Sequence, residues 1–229
     1  DICAVEEARD YLEKVPAENR FLATSCCPSW RMMARRLFPK ESGNISMTYT
    51  PMVYTARMVK EQHPGCKVVF VGPCAAKKLE AMQEELRNDV DFVLTYEELM
   101  GIFEAKDVDL ETIEPDEELK NGTGLGRGFA AAGGVALAVE DVIRKLRPGA
   151  EVKIQRADGL RECRKLLTLA RAGKLDGYLL EGMACPGGCI AGAGTIIAPE
   201  QAAKKLKEHI AQADVTSCAD SPFRAELEK

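Results

Sequence analysis

The chain has 229 residues, 46% hydrophobic and 29% charged, enough apolar material for a sizeable core in one large domain or two small ones. Lys plus Arg is 31 against 36 Asp plus Glu, and the net charge of −5 argues against nucleic acid or an anionic membrane as the main partner. No apolar run reaches the roughly 20 residues of a membrane span. The opening Asp-Ile-Cys-Ala-Val-Glu-Glu is neither a signal peptide nor an ordinary translation start, so the chain reads as a piece of a longer polypeptide.

Residues 3–15 place Val5, Ala8, Leu12 and Val15 on one helical face. Residues 20–25 (RFLATS) form a short apolar strand running into Cys26-Cys27-Pro28, and Pro28 opens a helix carrying Trp30, Met33 and Leu37. A helix over 52–62 ends at Pro64-Gly65. The β-branched run 67–72 (KVVFVG) predicts a strand, followed by Pro73-Cys74 and a charged helix over 77–87. A strand at 91–95 and a helix at 96–104 come next. Residues 105–128 are first acidic and then glycine-rich, which predicts a long loop and a boundary or flap. An apolar helix over 129–146, entered near Gly133-Gly134, precedes a strand at 152–156. A helix over 159–172 has Leu160, Cys163, Leu167 and Ala170 on one side. A strand at 177–181, a glycine-rich loop at 182–194, a helix near 199–212 and a polar tail complete the chain. The alternation of strand and helix predicts an α/β fold with mostly parallel sheets and flanking helices.

Nine cysteines are an odd number, and with no secretory signal they read as reduced thiols of a cytoplasmic protein rather than a disulfide framework. Cys26 and Cys27 follow the strand at 20–25, Cys74 follows 67–72, and Cys185 with Cys189 follows 177–181. Ligands in open α/β sheets gather at the carboxyl ends of strands, so thiols far apart in sequence can converge there. Thiolate-rich, histidine-poor ligation favours zinc or an iron–sulfur cluster. His63 and His209 have no motif around them. A structural zinc site usually uses closely spaced knuckles, whereas these cysteines are spread along the chain. Cys3, Cys66, Cys163 and Cys218 each stand alone and read as small hydrophobic core residues.

Three segments carry a resemblance: Thr24-Ser25-Cys26-Cys27-Pro28-Ser29-Trp30, then Gly72-Pro73-Cys74-Ala75-Ala76-Lys77-Lys78-Leu79-Glu80, then Glu181-Gly182-Met183-Ala184-Cys185-Pro186-Gly187-Gly188-Cys189. In this order they resemble the TSCCPxW, PCxxKxxE and ExMACxxGC signatures of the catalytic, H-cluster domain of iron-only (FeFe) hydrogenases, over most of the chain. The resemblance implies two lobes around a buried metal cluster, in which a 4Fe–4S cubane is linked to a di-iron unit bearing carbonyl, cyanide and an azadithiolate bridge. It implies that Cys27, Cys74, Cys185 and Cys189 hold the cubane, Cys189 bridging to the di-iron unit. Cys26 would pass protons beside the bridging amine and Lys77 would hydrogen-bond a cyanide. Met183, Pro51 and Pro73 would line the pocket. The family's acid–serine–acid–cysteine proton relay falls on Glu7, Asp10, Ser46 and Cys26, with Glu7 and Asp10 one helical turn apart.

The implied activity is reversible oxidation of dihydrogen to protons and electrons. Ferredoxin or internal iron–sulfur modules would be the electron partner, and maturation proteins would supply the di-iron unit. Two departures point to a divergent subgroup. Gly72 stands where the best-studied type has methionine, removing one apolar wall of the pocket, and Ile190-Ala191-Gly192-Ala193-Gly194-Thr195 replaces a GGGQP ending. The chain reads as a partial domain, lacking the first part of its first lobe and any ferredoxin-like module. Open alternatives are an iron–sulfur assembly-type protein without hydrogenase activity, a hydrogen-sensing domain and a structural zinc module.

Overall fold

Every strand pairing is parallel, and the strands fall into two sheets. The computed structural model describes residues 1–114 and 122–227. In chain order the elements are α1 (Ile2–Lys14), β1 (Leu22–Ala23), α2 (Pro28–Leu37), α3 (Pro51–Gln62), β2 (Val69–Val71), α4 (Ala76–Ala81), β3 (Phe92–Leu94) and α5 (Tyr96–Ala105). They continue with α6 (Gly124–Arg127), α7 (Gly134–Leu146), β4 (Lys153–Asp158), α8 (Leu160–Arg171), β5 (Tyr178–Met183) and α9 (Pro199–Ala211). The larger sheet has the order β1-β5-β4 and the smaller is β2-β3. The chain leaves the first sheet after β1, builds the second, and returns for β4 and β5. The expected α/β architecture of parallel sheets with flanking helices is the one observed.

β5 is the axis of the larger sheet. It pairs with β1 through Leu22–Leu179 and Ala23–Leu180, and with β4 from Lys153–Tyr178 to Asp158–Met183. After Tyr178 all its residues are buried, as befits a parallel strand covered on both faces. One face packs on α1 and α7 through Val5, Ala8, Tyr11, Val135, Val139, Val142 and Ile143. The other packs on α2 and α8 through Trp30, Ala34, Cys163, Leu166, Leu167 and Ala170. The smaller sheet shares a third cluster with Met52, Val53 and Ala56 of α3 and with Leu86 and Val90.

Several boundaries differ from the sequence expectation for physical reasons. The strand expected over 20–25 is regular only at Leu22–Ala23, although the Thr24 amide still donates to the Leu180 carbonyl at 2.9 Å. The helix expected over 77–87 ends at Ala81, and the turns after it carry Leu86 into the core. The helix expected from 129 begins at Gly134, because Gly133 is left-handed (φ 88°). The glycine-rich part of the 105–128 loop contains α6, capped by the Thr123 hydroxyl, which accepts from the Gly126 amide at 3.0 Å. Residues 115–121 of that loop lie outside the described residues. β5 runs two residues beyond the expected end, to Met183.

Leu37 and Leu160, expected on buried faces, are 53% and 42% exposed, so the apolar stripes of α2 and α8 are narrower than their periodicity suggests. The polar tail is docked in part: Cys218 and Ala219 are buried beside α7, and Ser221 Oγ donates to Asp1 Oδ2 at 2.8 Å. No helix among the described residues is long and apolar enough to cross a membrane.

Gly182 lets α2 approach β5. A Cβ there would collide with the buried indole of Trp30, whose Nε1 donates to the Thr24 carbonyl at 3.0 Å. Gly182→Ala is therefore expected to destabilise the fold by about 2 kcal/mol or more through overpacking. Urea unfolding measures this, and an unchanged midpoint contradicts the packing described.

Candidate functional site

The carboxyl ends of parallel strands share one edge of a sheet, and three of these strands lead directly into cysteines. Cys26 and Cys27 follow β1, Cys185 follows its neighbour β5, and Cys74 follows β2 of the smaller sheet. Cys27 is the residue before α2, with Pro28 in the first turn, and its Sγ accepts from the Ala184 amide at 3.4 Å. The loop after Cys189 reaches across to the smaller sheet, where the Gly194 amide donates to the Pro73 carbonyl at 2.9 Å. Cys26, Cys27 and Cys189 pack together against the core cluster that contains Met183.

Electrostatics tie the four expected ligands together. Burial raises the Cys185 thiol, and the charges of Cys27 and Cys74 raise it further. Burial, then Cys27 and Cys74, push Cys189 up to about 12, with Lys77 pulling the other way. Cys185 and Cys189, whose ionisation is disfavoured by burial and by the charges of Cys27 and Cys74, would be held as thiolates by a bound cationic centre. Four sulfur donors without histidine match an iron–sulfur cluster by ligand type. No three His, Cys, Asp or Glu side chains among the described residues are gathered as a cage for a single metal ion. By ligand type alone the donor set fits an iron–sulfur cluster.

Lys77 is buried and reaches towards Cys26. Its Nζ donates to Glu80 Oε2 at 2.6 Å and to the Cys26 carbonyl at 3.5 Å. Arg31 Nη2 lies 3.8 Å from the other Glu80 oxygen, so the buried carboxylate is held between two cations. Met183 is 2% exposed at the end of β5. Pro73 shares an apolar groove of about 570 Å³ with Cys189, Ile196, Ile197 and Leu206. Pro51 opens α3 and lines a separate cavity of about 540 Å³ together with Cys3 and Tyr54.

Of the expected relay residues the structure joins one pair directly, Ser46 and Asp10, while Glu7 pairs with Ser25. Ser46 Oγ donates to Asp10 Oδ2 at 3.0 Å, and Asp10 also pairs with Lys14. Asp10 and Thr48 line a surface pocket of about 370 Å³ with Glu6, Arg9 and Glu13. Glu7 is fully buried, and its Oε1 accepts from the Ser25 amide at 2.7 Å and the Ser25 hydroxyl at 3.0 Å. The pairs meet through Ser25 and Thr48. Ser25 Oγ also lies 2.6 Å from the Thr48 carbonyl, and the Thr48 and Ser46 hydroxyls are 2.8 Å apart. Sequence alone does not single out Ser25 and Thr48. Ser25 stands inside the TSCC signature, but no local spacing ties it to Glu7, 18 positions back.

Burial raises the Glu7 carboxyl to about 7 against the Ser25 hydrogen bonds that lower it, with Glu181 and Asp10 adding to the rise. Its Oε2 is buried without a hydrogen-bond partner. Burial and the Glu7 charge push the Cys26 thiol well above its ordinary range.

The remaining cysteines differ among themselves. Cys163 and Cys218 are fully buried in core clusters, as expected. Cys3 is buried but borders the Pro51 cavity. Cys66 is partly exposed in the turn after α3 and is not a core residue, because Pro64-Gly65 carries it outward from the helix end. At Gly72, where an apolar wall was expected to be missing, the ring of Phe70 lies 2.7 Å from where a Cβ would stand, so that space is filled by the neighbouring strand residue.

The chain has relatives among known proteins. The chain is 26% identical to the periplasmic Fe hydrogenase large subunit of Nitratidesulfovibrio vulgaris over 87% of its length and 58% of that protein. It is 25% identical to iron hydrogenase 1 of Clostridium pasteurianum over 85% of its length and 41% of that protein. It is also 28% identical to cytosolic iron-sulfur assembly component 3 of Pongo abelii, over 82% of its length and 50% of that protein. The chain thus spans about half the length of these relatives. In fold it superposes on a variant of the FeFe-hydrogenase HydA1 from Chlamydomonas reinhardtii with a TM-score of 0.78, at 20% identity, covering 99% of this chain and 76% of that one. Residues 1–193 match the family described as iron only hydrogenase large subunit, C-terminal domain, and the chain belongs to that family.

Proposed function

We propose that this chain is the cluster-binding catalytic part of an FeFe hydrogenase, which interconverts dihydrogen with protons and electrons. The observation that carries the reading is the buried Glu7–Ser25 pair beside Cys26, held against the Ser46–Asp10 pair through the Thr48 backbone. Cys27, Cys74, Cys185 and Cys189 would hold the iron–sulfur cluster, and Cys189 would also hold the di-iron unit. When bound, the group supplies the metal centre at which dihydrogen is split or formed. The protein's part is to hold it, exclude water and move protons.

Cys26 exchanges the proton at its Sγ. Glu7, titrating near neutrality, takes it up or returns it, as an acid–base group matched to working pH should. On the outer side the Thr48 and Ser46 hydroxyls pass a proton to Asp10, which opens on the surface pocket, while Ser25, bonded to the Thr48 backbone carbonyl, positions Glu7 against this segment. Lys77, steadied by Glu80, would offer its ammonium to an anionic ligand of the group when bound. Met183 and the prolines 51 and 73 exclude water. Electrons would pass to ferredoxin or to internal iron–sulfur modules, and a cytoplasmic setting suits that exchange. Maturation proteins would deliver the di-iron unit.

Similarity to the assembly component supports a second reading, an iron–sulfur protein without hydrogenase activity. A cubane alone has no use for a titrating glutamate beside Cys26. Reconstitution with iron and sulfide under argon separates these readings from a zinc module. About four irons and four sulfides per chain are expected, with a cubane EPR signal on reduction. Evolution of dihydrogen after addition of a synthetic di-iron unit selects the hydrogenase, and its absence selects the cubane-only protein. Cys74→Ala is expected to lower iron content and alter the EPR spectrum. Cys26→Ala should keep both and lose most turnover, and parent-level activity in that variant overturns the relay.

The pH dependence of the metal-free protein tests Glu7 separately. Its folded-state pKa of about 7 lies above the ordinary 4.5, so the folded chain binds more protons than the unfolded one between those values. Its contribution is favourable below pH 4.5 and is lost as pH rises through 7. Glu7→Gln is therefore expected to raise stability at pH 8 by up to about 3 kcal/mol and to change little at about pH 4. Denaturant titrations at the two pH values give the comparison, and an equal effect at both contradicts the raised pKa.

A further inference from the structure

Glu181 lies on β5, four residues before Cys185, and is 1% exposed. Its two carboxylate oxygens take two different backbone amides from the start of α7. Oε1 accepts from Gly133 at 2.6 Å and Oε2 from Ala136 at 2.7 Å. This is a charge-assisted cap on a helix N-terminus, supplied from the central strand rather than from the helix's own flank. It fixes where α7 begins, and hence where residues 130–132 lie.

Those three residues form the wall behind the Cys185–Cys189 loop. The Ala132 amide donates to the Gly187 carbonyl at 3.1 Å. Gly188, at φ 96°, sits so close that a Cβ would collide with the backbone of Ala130 and Ala132. The Gly188 amide in turn closes onto the Cys185 carbonyl at 3.0 Å. One carboxylate therefore holds both parts of a clamp, the strand that delivers the loop and the wall on which the loop rests.

We propose that Glu181 is a positioning residue that holds the Cys185–Cys189 loop in its ligand geometry by fixing residues 130–133 behind it. The geometry rests on hydrogen bonds and contacts of the protein alone. The ligand role of the two cysteines rests on the reading above, so the test is made on the metal-free protein as well as the loaded one.

Residue-resolved alkylation of the metal-free chain gives the first readout. Glutamine at 181 can accept one amide but presents a donor to the other. Glu181→Gln should therefore speed alkylation of Cys185 and Cys189 on the order of tenfold. Cys163, fully buried in the opposite core cluster, should stay protected. Asp141→Ala, which removes the acceptor for the Ser217 hydroxyl and so breaks that contact of α7 at a distance from the loop, should leave Cys185 and Cys189 at the parent rate. Gly188→Ala pushes the loop off the same wall with Glu181 intact and should expose the same two cysteines. Unchanged rates at Cys185 and Cys189 in Glu181→Gln or Gly188→Ala overturn the proposal. So does a parallel rise at Cys163, which would make the carboxylate a general support of the fold. In the reconstituted protein Glu181→Gln should shift the reduced EPR signal or lower iron occupancy. A parent that binds no iron defeats the functional reading while leaving the alkylation result to judge the clamp.

Discussion

The register of β5 between β1 and β4 is the constraint on which the thiol site depends. A parallel strand slipped by one residue presents every side chain to the opposite face. In the observed register Glu181 and Met183 face α7 and α1, while Gly182 leaves room for Trp30 on the α2 side. Because β1 runs parallel to β5, Cys26 and Cys27 emerge beside Cys185 at the same edge. Cys74 arrives from the other sheet, and the loop after Cys189 closes the distance by donating to the Pro73 carbonyl. The site is thus a product of topology, in which contacts far apart in sequence are set by two strand pairings and one crossing loop.

The buried acids around this edge are answered in three different ways, and the difference sets their chemistry. Glu80 has Lys77 and Arg31. Glu181 has two helix amides. Glu7 has only the amide and hydroxyl of Ser25 on one oxygen and nothing on the other. An uncompensated buried carboxylate prefers to hold its proton, so for Glu7 burial outweighs hydrogen bonding and the group titrates near neutrality. A fold that needed only packing at this position would be more stable with an apolar residue. The retained acid is a cost to stability of the kind found where protons are handled.

Much of this was legible in the sequence, because it rests on local pattern. The alternation of strand and helix, proline at the start of α2 and the cysteines just beyond strand ends are all short-range signals, and they place Cys27, Cys74, Cys185 and Cys189 on the loops that converge. Helix length was less legible where burial of one residue outweighed periodicity, as when Leu86 draws the chain out of α4. The docked segment around Cys218 could not be read from its polar composition, since its partners Asp1, Thr123 and Asp141 are distant in sequence. Ser25 and Thr48 escaped for the same reason. A hydroxyl's role is fixed by its acceptor, and here the acceptors belong to other elements.

The departure at position 72 shows how a motif can change without leaving a hole. Read along the chain, glycine for a larger side chain suggests a lost wall. In space, the Phe70 ring of β2 stands where a side chain on Gly72, just past the strand end, would begin. Alternate residues of a strand share a face, so volume removed at one position can be returned from the position two before it. Glycine at 72 and an aromatic ring at 70 are then one packing solution: a side chain at 72 would have to displace the ring, and a smaller residue at 70 would leave the space empty. Substitutions near the cysteine loops therefore have to be judged together with the side chains that stand beside them in space.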